Sequence, residues 1–206
     1  MEQDLERHFQ DLLLAYSQQI YPEGRKQVED TLWKEYGAEH TVFVLDMSGF
    51  SLLCRKYGII HYLSMVRRMQ LTAAPVVKSC GGRVVKFEAD NCFAVFPDPL
   101  SAVRSAIAMQ FAFDAANLLT PDELDIRISC GIDCGRILMV GEHDCFGEAV
   151  NRACKLGEDI ASASEILVTQ DAMGLIPPEA GIKYSEVSLS ISGITIPACT
   201  IDYRTN

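Results

Sequence analysis

One stretch of eight residues determines the predicted fold: Val44-Leu45-Asp46-Met47-Ser48-Gly49-Phe50-Ser51. The apolar run over residues 41–45 predicts a short buried strand that ends at Asp46, and Gly49 marks the turn that follows. A buried carboxylate at a strand end needs a cation or several hydrogen-bond donors. Gly49 gives the backbone the freedom to turn several amide N–H groups toward one anion. The stretch therefore predicts a ligand for a hard cation beside a phosphate-binding turn.

A second acidic turn lies further along the chain. Residues 81–96 predict two short strands around a tight turn that carries Asp90. Antiparallel pairing beside the first strand would bring Asp90 next to Asp46. Two facing carboxylates beside an open backbone turn are suited to Mg²⁺ with a polyphosphate substrate.

The composition is that of one folded domain. The chain has 206 residues, of which 49% are hydrophobic, so we expect a substantial core. A net charge of −10 argues against a general nucleic-acid surface, whereas a few local cations suffice for a nucleotide pocket. No apolar run reaches the length of a membrane span, the start is no signal peptide, and the eight cysteines contain no CxxC pair. We expect a cytoplasmic protein with reduced thiols.

The hydrophobic pattern predicts an N-terminal helical segment over residues 1–40 and one α+β domain over residues 41–206. Two helices, broken at residues 22–24, fill the N-terminal segment, which either packs on the core or forms a dimerising stalk. The domain elements follow in order: strand 41–46, helix 50–78 interrupted near Gly58, hairpin 82–96, helix 100–117, strands 125–132 and 136–140 around a turn at 133–135, helix 147–161, strand 165–169 and a β-rich tail over 183–203. The βαββαβ order predicts a ferredoxin-like sandwich with helices on one sheet face.

Four motifs, in this order and spacing, resemble the class III nucleotidyl (adenylate/guanylate) cyclases, from about Thr41 to about Ala172. Any one motif alone is weak evidence for this resemblance. They are Asp46-Met47-Ser48-Gly49-Phe50-Ser51, Lys86-Phe87-Glu88-Ala89-Asp90, Gly131-Ile132-Asp133-Cys134-Gly135-Arg136 and Phe146-Gly147-Glu148-Ala149-Val150-Asn151-Arg152-Ala153. With no sensor domain apparent, the chain is similar to compact, stand-alone bacterial members.

The resemblance implies conversion of an NTP to a 3′,5′-cyclic nucleotide and pyrophosphate, with the substrate's own 3′-hydroxyl attacking the α-phosphorus. It implies two divalent metals, Mg²⁺ or Mn²⁺, bound by Asp46, Asp90 and the backbone carbonyl of Met47. The β- and γ-phosphates would be held by the backbone amides of Gly49, Phe50 and Ser51.

Further site residues follow from the same resemblance. Arg136 matches the arginine that binds the polyphosphate, and its planar fork suits phosphate oxygens. Asn151 matches the asparagine that orients the ribose. Where the family places a transition-state arginine, this chain has Lys155, which keeps the charge but loses the bidentate fork. The chain also departs from the pattern at Ala89, where glycine is usual. Over residues 188–193, where the family often has a lysine that contacts phosphate, the only polar side chains of this chain are serines.

The resemblance implies that Lys86 and Asp144 recognise the base, in the pattern of ATP-specific members. Asp144 can accept from an exocyclic amine and Lys86 can donate to a ring nitrogen. Cytosine also presents an amine beside a ring acceptor, so a pyrimidine cyclase that makes cCMP or cUMP from CTP or UTP in anti-phage signalling stays an alternative. In the family each site spans two protomers, with the metal and polyphosphate residues from one and the base and ribose residues from the other. This implies a homodimer here, and we also expect a downstream effector that binds the product. Lys155 and the serine tail leave a further alternative, an inactive nucleotide-binding module.

Overall fold

The computed structural model describes residues 2–191 and 194–204. Its helices are α1 (Glu2–Gln18), α2 (Pro22–Tyr36), α3 (Phe50–Tyr57), α4 (Ile59–Ser79), α5 (Pro99–Asn117), α6 (Glu148–Cys154) and α7 (Gln170–Gly174). Its strands are β1 (Gly37–Met47), β2 (Arg83–Glu88), β3 (Asn91–Phe96), β4 (Ile128–Val140), β5 (Asp144–Phe146), β6 (Ile166–Thr169), β7 (Tyr184–Ile191) and β8 (Ile194–Ile201). No helix in this part of the chain is long and apolar enough to cross a bilayer.

One mixed sheet organises the domain. The strand order is β2-β3-β1-β4-β6-β8-β7, and β5 pairs with the end of β4. All of these pairings are antiparallel except that of β4 with β6. The first four positions, β2-β3-β1-β4, form the antiparallel sheet of a βαββαβ unit. The predicted α+β, ferredoxin-like class is confirmed, as is the β-rich tail over its described residues.

Strand β1 is buried on both faces. Phe43 and Leu45 lie in the larger core with residues of α4 and α5, while Val42 and Val44 contact Ala149 and other residues of α6 on the opposite face. The prediction of helices on one sheet face is therefore wrong. The continuous apolar run in β1, rather than an alternating pattern, is typical of a strand that is covered on both sides.

The predicted turn at residues 133–135 is also wrong, because β4 runs without interruption from Ile128 to Val140. The reason is the length of β1, which extends from Gly37 to Met47 rather than from 41 to 46 and pairs with β4 along all of it. Within this strand Gly135 has a φ of +156°, a backbone conformation that glycine adopts at low cost. Tertiary pairing thus overrides the turn-forming character of the local sequence.

The N-terminal helices pack on the domain. Phe9, Leu32 and Tyr36 form a small apolar cluster with Val140 at the end of β4. The ring of Phe9 also stacks on Phe146 of β5, with 5.8 Å between the ring centroids. Helices α1 and α2 therefore lie against the β4–β5 hairpin, which is the first of the two arrangements considered from the sequence.

The predicted helix over residues 147–161 consists of two parts. Helix α6 ends at Cys154 and continues as a π-helical segment, Lys155–Ile160. This wider turn places Gly157 against the sheet, where an added Cβ would lie 2.9 Å from the backbone nitrogen of Gly131 and 3.1 Å from the carbonyl oxygen of Val44. A glycine is needed for this close approach of two backbones.

Candidate active site

The strand register brings the two predicted metal-binding aspartates to one end of the sheet. Asp46 pairs with Asn91 across β1 and β3, and Asp90 immediately precedes Asn91 in the β2–β3 turn. In the amide orientation that satisfies both groups, Asn91 donates to Asp46 Oδ1 at 2.9 Å and to the Leu45 carbonyl oxygen at 3.2 Å. Ala89 of the same turn has a φ of +51°, a conformation that glycine adopts at lower cost.

The electrostatics of this pair favour a cation. Burial, with the nearby carboxylates of Asp90, Glu158 and Asp159, raises the pKa of Asp46 to about 7. Burial also raises the pKa of Asp90. When both groups are ionised they repel one another, and a divalent cation between them relieves this repulsion. Carboxylate oxygens are the hard donors that Mg²⁺ and Mn²⁺ prefer.

The side chains alone do not complete a metal site. Among the described residues, no three His, Cys, Asp or Glu side chains converge as a ligand set. The Asp46/Asp90 pair fits a divalent metal that takes its remaining ligands from the Met47 carbonyl, water or a substrate. This is the usual manner of Mg²⁺ binding in nucleotide sites, with one or two carboxylates and substrate phosphates.

Two acidic residues near the pair were not predicted from the sequence. Glu158 and Asp159 lie on the π-helical segment and raise the pKa of Asp46. The pKa of Glu158 is itself raised, first by burial and then by Asp159 and Asp90. Their proximity depends on the wide turn after α6, for which the helical pattern of the sequence gives no signal.

The predicted phosphate-binding turn leads into α3. Gly49 precedes the helix in a left-handed conformation, with a φ of +81°. The amides of Phe50 and Ser51 begin the first helical turn, where N–H groups lack partners within the helix and favour an anion. The side chains of Phe50 and Ser51 lie outside the described part of the structure. The binding of phosphate by these amides stays a prediction.

Lys86 and Asp144 come together although 58 positions separate them in the sequence. Lys86 Nζ lies 3.1 Å from Asp144 Oδ1 and 2.8 Å from Glu88 Oε2. It also lies 5.1 Å from the ring centroid of Phe93. Burial opposes the charge of the ammonium group, but the hydrogen bonds to Glu88 and Asp144 outweigh it and raise the pKa of Lys86. Glu88, a second partner, was not predicted.

Arg136 lies apart from the aspartates of its own chain. It pairs with Glu39 on β1, seven positions before Asp46, which corresponds to about 23 Å along an extended strand. Its Nη2 donates to the Trp33 carbonyl oxygen at 2.9 Å, and its guanidinium lies 4.8 Å from the ring centroid of Trp33. Within one chain, Arg136 therefore contacts helix α2 and not the acidic pair.

Asn151 and Lys155 border a cavity of about 320 Å³ beside α6. The cavity lies between this helix, the start of α7 and the start of β8. Its polar lining includes Glu148, Asn151, Arg152, Lys155, Gln170 and Thr195. The two residues predicted to contact the ribose and the transition state thus share one polar surface.

The sequence of the chain is similar to parts of several longer curated proteins. The chain is 30% identical over 115 residues to "Putative adenylate cyclase 3" of Rhizobium meliloti, a match that covers 56% of this chain and 19% of that protein. It is 23% identical over 161 residues to an uncharacterized protein of Mycobacterium tuberculosis, covering 78% of this chain and 40% of that protein. The chain therefore spans a fifth to two fifths of these relatives. No protein-family model matches the chain.

Solved structures with a similar fold are cyclase domains. An adenylate/guanylate cyclase/hydrolase from Silicibacter pomeroyi superposes with a TM-score of 0.67 at 24% identity, covering 80% of this chain and 96% of that one. The adenylyl cyclase CyaB from P. aeruginosa superposes with a TM-score of 0.69 at 20% identity, covering 81% and 95%. The chain has the fold of the class III adenylate and guanylate cyclase catalytic domains.

Proposed function

We propose that this chain is a nucleotidyl cyclase that converts an NTP, with ATP favoured, to a 3′,5′-cyclic nucleotide and pyrophosphate. The observation that carries the proposal is the half-buried pair Asp46/Asp90 beside the Gly49 turn at the start of α3. Carboxylates for a divalent metal and backbone amides for phosphate are then adjacent. The similarity to cyclase structures supports the same conclusion.

The chemistry needs no nucleophile from the protein, because the 3′-hydroxyl of the substrate attacks the α-phosphorus and pyrophosphate leaves. Asp46, Asp90 and the Met47 carbonyl would hold two divalent ions, which when bound lower the pKa of the hydroxyl and neutralise phosphate charge. The amides of Gly49, Phe50 and Ser51 bind the terminal phosphates. Asn151 orients the ribose, and Lys155 supplies positive charge.

The proposal that ATP is favoured rests on Lys86 and Asp144. Their side chains are 3.1 Å apart, so one base edge could contact both in place of their mutual ion pair. An adenine offers an amine to Asp144 and a ring nitrogen to Lys86. A cytosine offers a similar pair, and CTP is therefore the competing substrate in the test below.

The resemblance implies a homodimer, with the metal and polyphosphate residues of each site on one chain and the base and ribose residues on the other. Arg136 lies about 23 Å along β1 from Asp46 of the same chain, and its guanidinium contacts α2. Both residues belong to the group that one protomer is expected to supply, so this distance is no evidence for the dimer, which rests on the resemblance alone. A two-fold symmetric pair would give two equivalent sites, each with residues of both chains.

The test is to incubate the purified protein with ATP, GTP, CTP and UTP separately, with Mg²⁺ and with Mn²⁺, and to identify products by mass spectrometry. We expect cyclic AMP as the main product and its loss in Asp46→Asn. A cyclic pyrimidine as the main product would replace ATP in the proposal and favour the defence-signalling alternative. Metal-dependent NTP binding without any product would favour the inactive binding module, and full activity of Asp46→Asn would refute the two-metal site.

A further inference from the structure

Arg152 borders the α6 cavity and was assigned no role from the sequence. It lies one residue after Asn151 and three before Lys155, and all three line the cavity. Its side chain is 31% exposed. Residues three or four apart share one side of a helix, so Arg152 and Lys155 present two cations to the same space.

A buried carboxylate fixes one edge of this guanidinium. Arg152 Nε donates to Asp133 Oδ2 at 2.6 Å, and Asp133 is fully buried. The other oxygen of Asp133 accepts a hydrogen bond from the hydroxyl of Thr169. Removal of one member of a buried, hydrogen-bonded ion pair is costly, so this arrangement holds Arg152 in one orientation.

The terminal nitrogens of Arg152 are held far less firmly. Nη1 lies 3.6 Å from Asp171 Oδ2, and the Asp171 side chain is 79% exposed. An ion pair of that length and exposure contributes little, because water screens it. The Nη1/Nη2 end of the guanidinium is therefore the part that can exchange Asp171 for another anion in the cavity.

The charges of the cavity indicate which anion it would take. Arg152 and Lys155 attract phosphate oxygens, whereas Glu148 and Asp171 on the same surface oppose a bare polyanion. A phosphate that carries a divalent cation has the lower net charge that this mixed lining tolerates. A diphosphate group with Mg²⁺ fits this description.

We propose that Arg152 provides the guanidinium that binds phosphate oxygens of the substrate, in place of the arginine that is absent at position 155, with Asp133 as its positioning residue. The assignment rests on the proposed cyclase function and deepens it. Asp133 holds Nε, and the Nη1/Nη2 fork forms two parallel hydrogen bonds to phosphate oxygens. Lys155 adds a point charge beside this fork, which offsets its own lack of bidentate geometry.

The test measures binding of inorganic pyrophosphate with Mg²⁺ by calorimetry, a readout that needs no turnover. We expect Arg152→Gln to weaken binding at least tenfold and Arg152→Lys to weaken it less. The matched control is Arg104→Gln, which removes a charge from an exposed position of α5 and should leave binding unchanged. Equal binding by Arg152→Gln and the control would overturn the proposal, as would the absence of pyrophosphate binding by the unmodified protein.

A second variant tests the proposed exchange at an exposed residue. Asp171→Asn removes the competing carboxylate from Arg152 Nη1 at an exposed site and leaves the Asp133 pair intact, so pyrophosphate should bind several-fold tighter. Unchanged or weaker binding would contradict the proposed exchange at Nη1. If no NTP is cyclised but both binding changes occur, the cyclase proposal fails while the phosphate site stands. If ATP is cyclised and Arg152→Gln keeps the unmodified kcat and KM, only the assignment of Arg152 fails.

Discussion

Arg136 and Trp33 form a contact between the domain and its N-terminal helices. The Arg136 guanidinium donates to the carbonyl oxygen of Trp33 at 2.9 Å and lies over the indole ring at 4.8 Å. The Trp33 carbonyl lies in the last turn of α2 and also accepts a hydrogen bond from the backbone N–H of Gly37. The C-terminal end of a helix favours a cation such as this guanidinium. The residue that the resemblance assigns to the polyphosphate thus also stabilises the packing of α2.

A double-mutant cycle on Arg136→Ala and Trp33→Ala measures the interaction free energy of this contact. We expect each single variant to lower the free energy of unfolding and the pair to show a coupling of about 1 kcal/mol, the range for a partly exposed cation–π contact. Urea denaturation of the two single variants and the double variant provides the measurement. Strictly additive effects would show that the two side chains do not interact in solution.

The raised pKa of Asp46 predicts how stability depends on pH without metal. The folded protein holds the Asp46 proton up to about pH 7, whereas the ordinary value is 3.8. The folded state therefore binds more protons between these values, and the free energy of unfolding falls as pH rises from about 4 to about 7. Each pKa unit corresponds to about 1.4 kcal/mol at most. Solvent screening and the Asn91 hydrogen bond reduce the total, and we expect roughly 2 kcal/mol.

Denaturant unfolding at pH 5 and pH 8, with EDTA and with Mg²⁺, tests this slope. Asp46→Asn should abolish the contribution of Asp46 and be more stable than the unmodified protein at pH 8 in EDTA. Added Mg²⁺ should stabilise the unmodified protein more at pH 8 than at pH 5, because metal binding requires the ionised carboxylate. Asp98→Asn is not a suitable control, since Asp98 caps α5. The control is Asp11→Asn, which removes an exposed carboxylate and should leave the pH dependence of the free energy of unfolding unchanged. If Asp46→Asn showed the same pH dependence as the unmodified protein, the prediction would be contradicted.

The ion pair between Lys86 and Asp144 predicts coupled effects on base choice. Lys86→Ala leaves Asp144 without its partner, so we expect a loss of kcat/KM for ATP of at least tenfold. The double change Lys86→Glu with Asp144→Cys replaces a donor by an acceptor and an acceptor by a weak donor. Guanine presents a ring N–H and a carbonyl oxygen where adenine presents a ring nitrogen and an amine, so the ratio of GTP to ATP turnover should rise. Competition assays with both nucleotides measure this ratio. An unchanged ratio in the double variant would mean that other groups recognise the base.

The local motifs predicted much of the sheet and of the acidic end of the site. Asp46 lies at the end of β1, and Asp90 lies in the turn just before β3. The antiparallel pairing of β1 with β3 was enough to place the two residues together. The contact of Arg136 with Trp33 could not be predicted, because it depends on how a separate pair of helices docks. The uninterrupted course of β4 through Asp133 was missed for a related reason, since its long pairing with β1 is absent from the local sequence. The roles of these residues in catalysis stay predictions.

Gly157 offers a test of the π-helical segment that brings Glu158 to the acidic pair. A Cβ at this position would lie 2.9 Å from the Gly131 nitrogen and 3.1 Å from the Val44 oxygen, and backbone atoms of a paired sheet cannot move aside easily. Gly157→Ala should therefore lower the free energy of unfolding by about 1–3 kcal/mol, the range for overpacking. It should also move Glu158 away from Asp46, so that the stability loss between pH 5 and pH 8 becomes smaller. The control is Gly174→Ala, where nothing lies within 4 Å of the added Cβ, and thermal unfolding should show no loss there. Equal stability of the two variants would mean that α6 continues in solution without the wide turn.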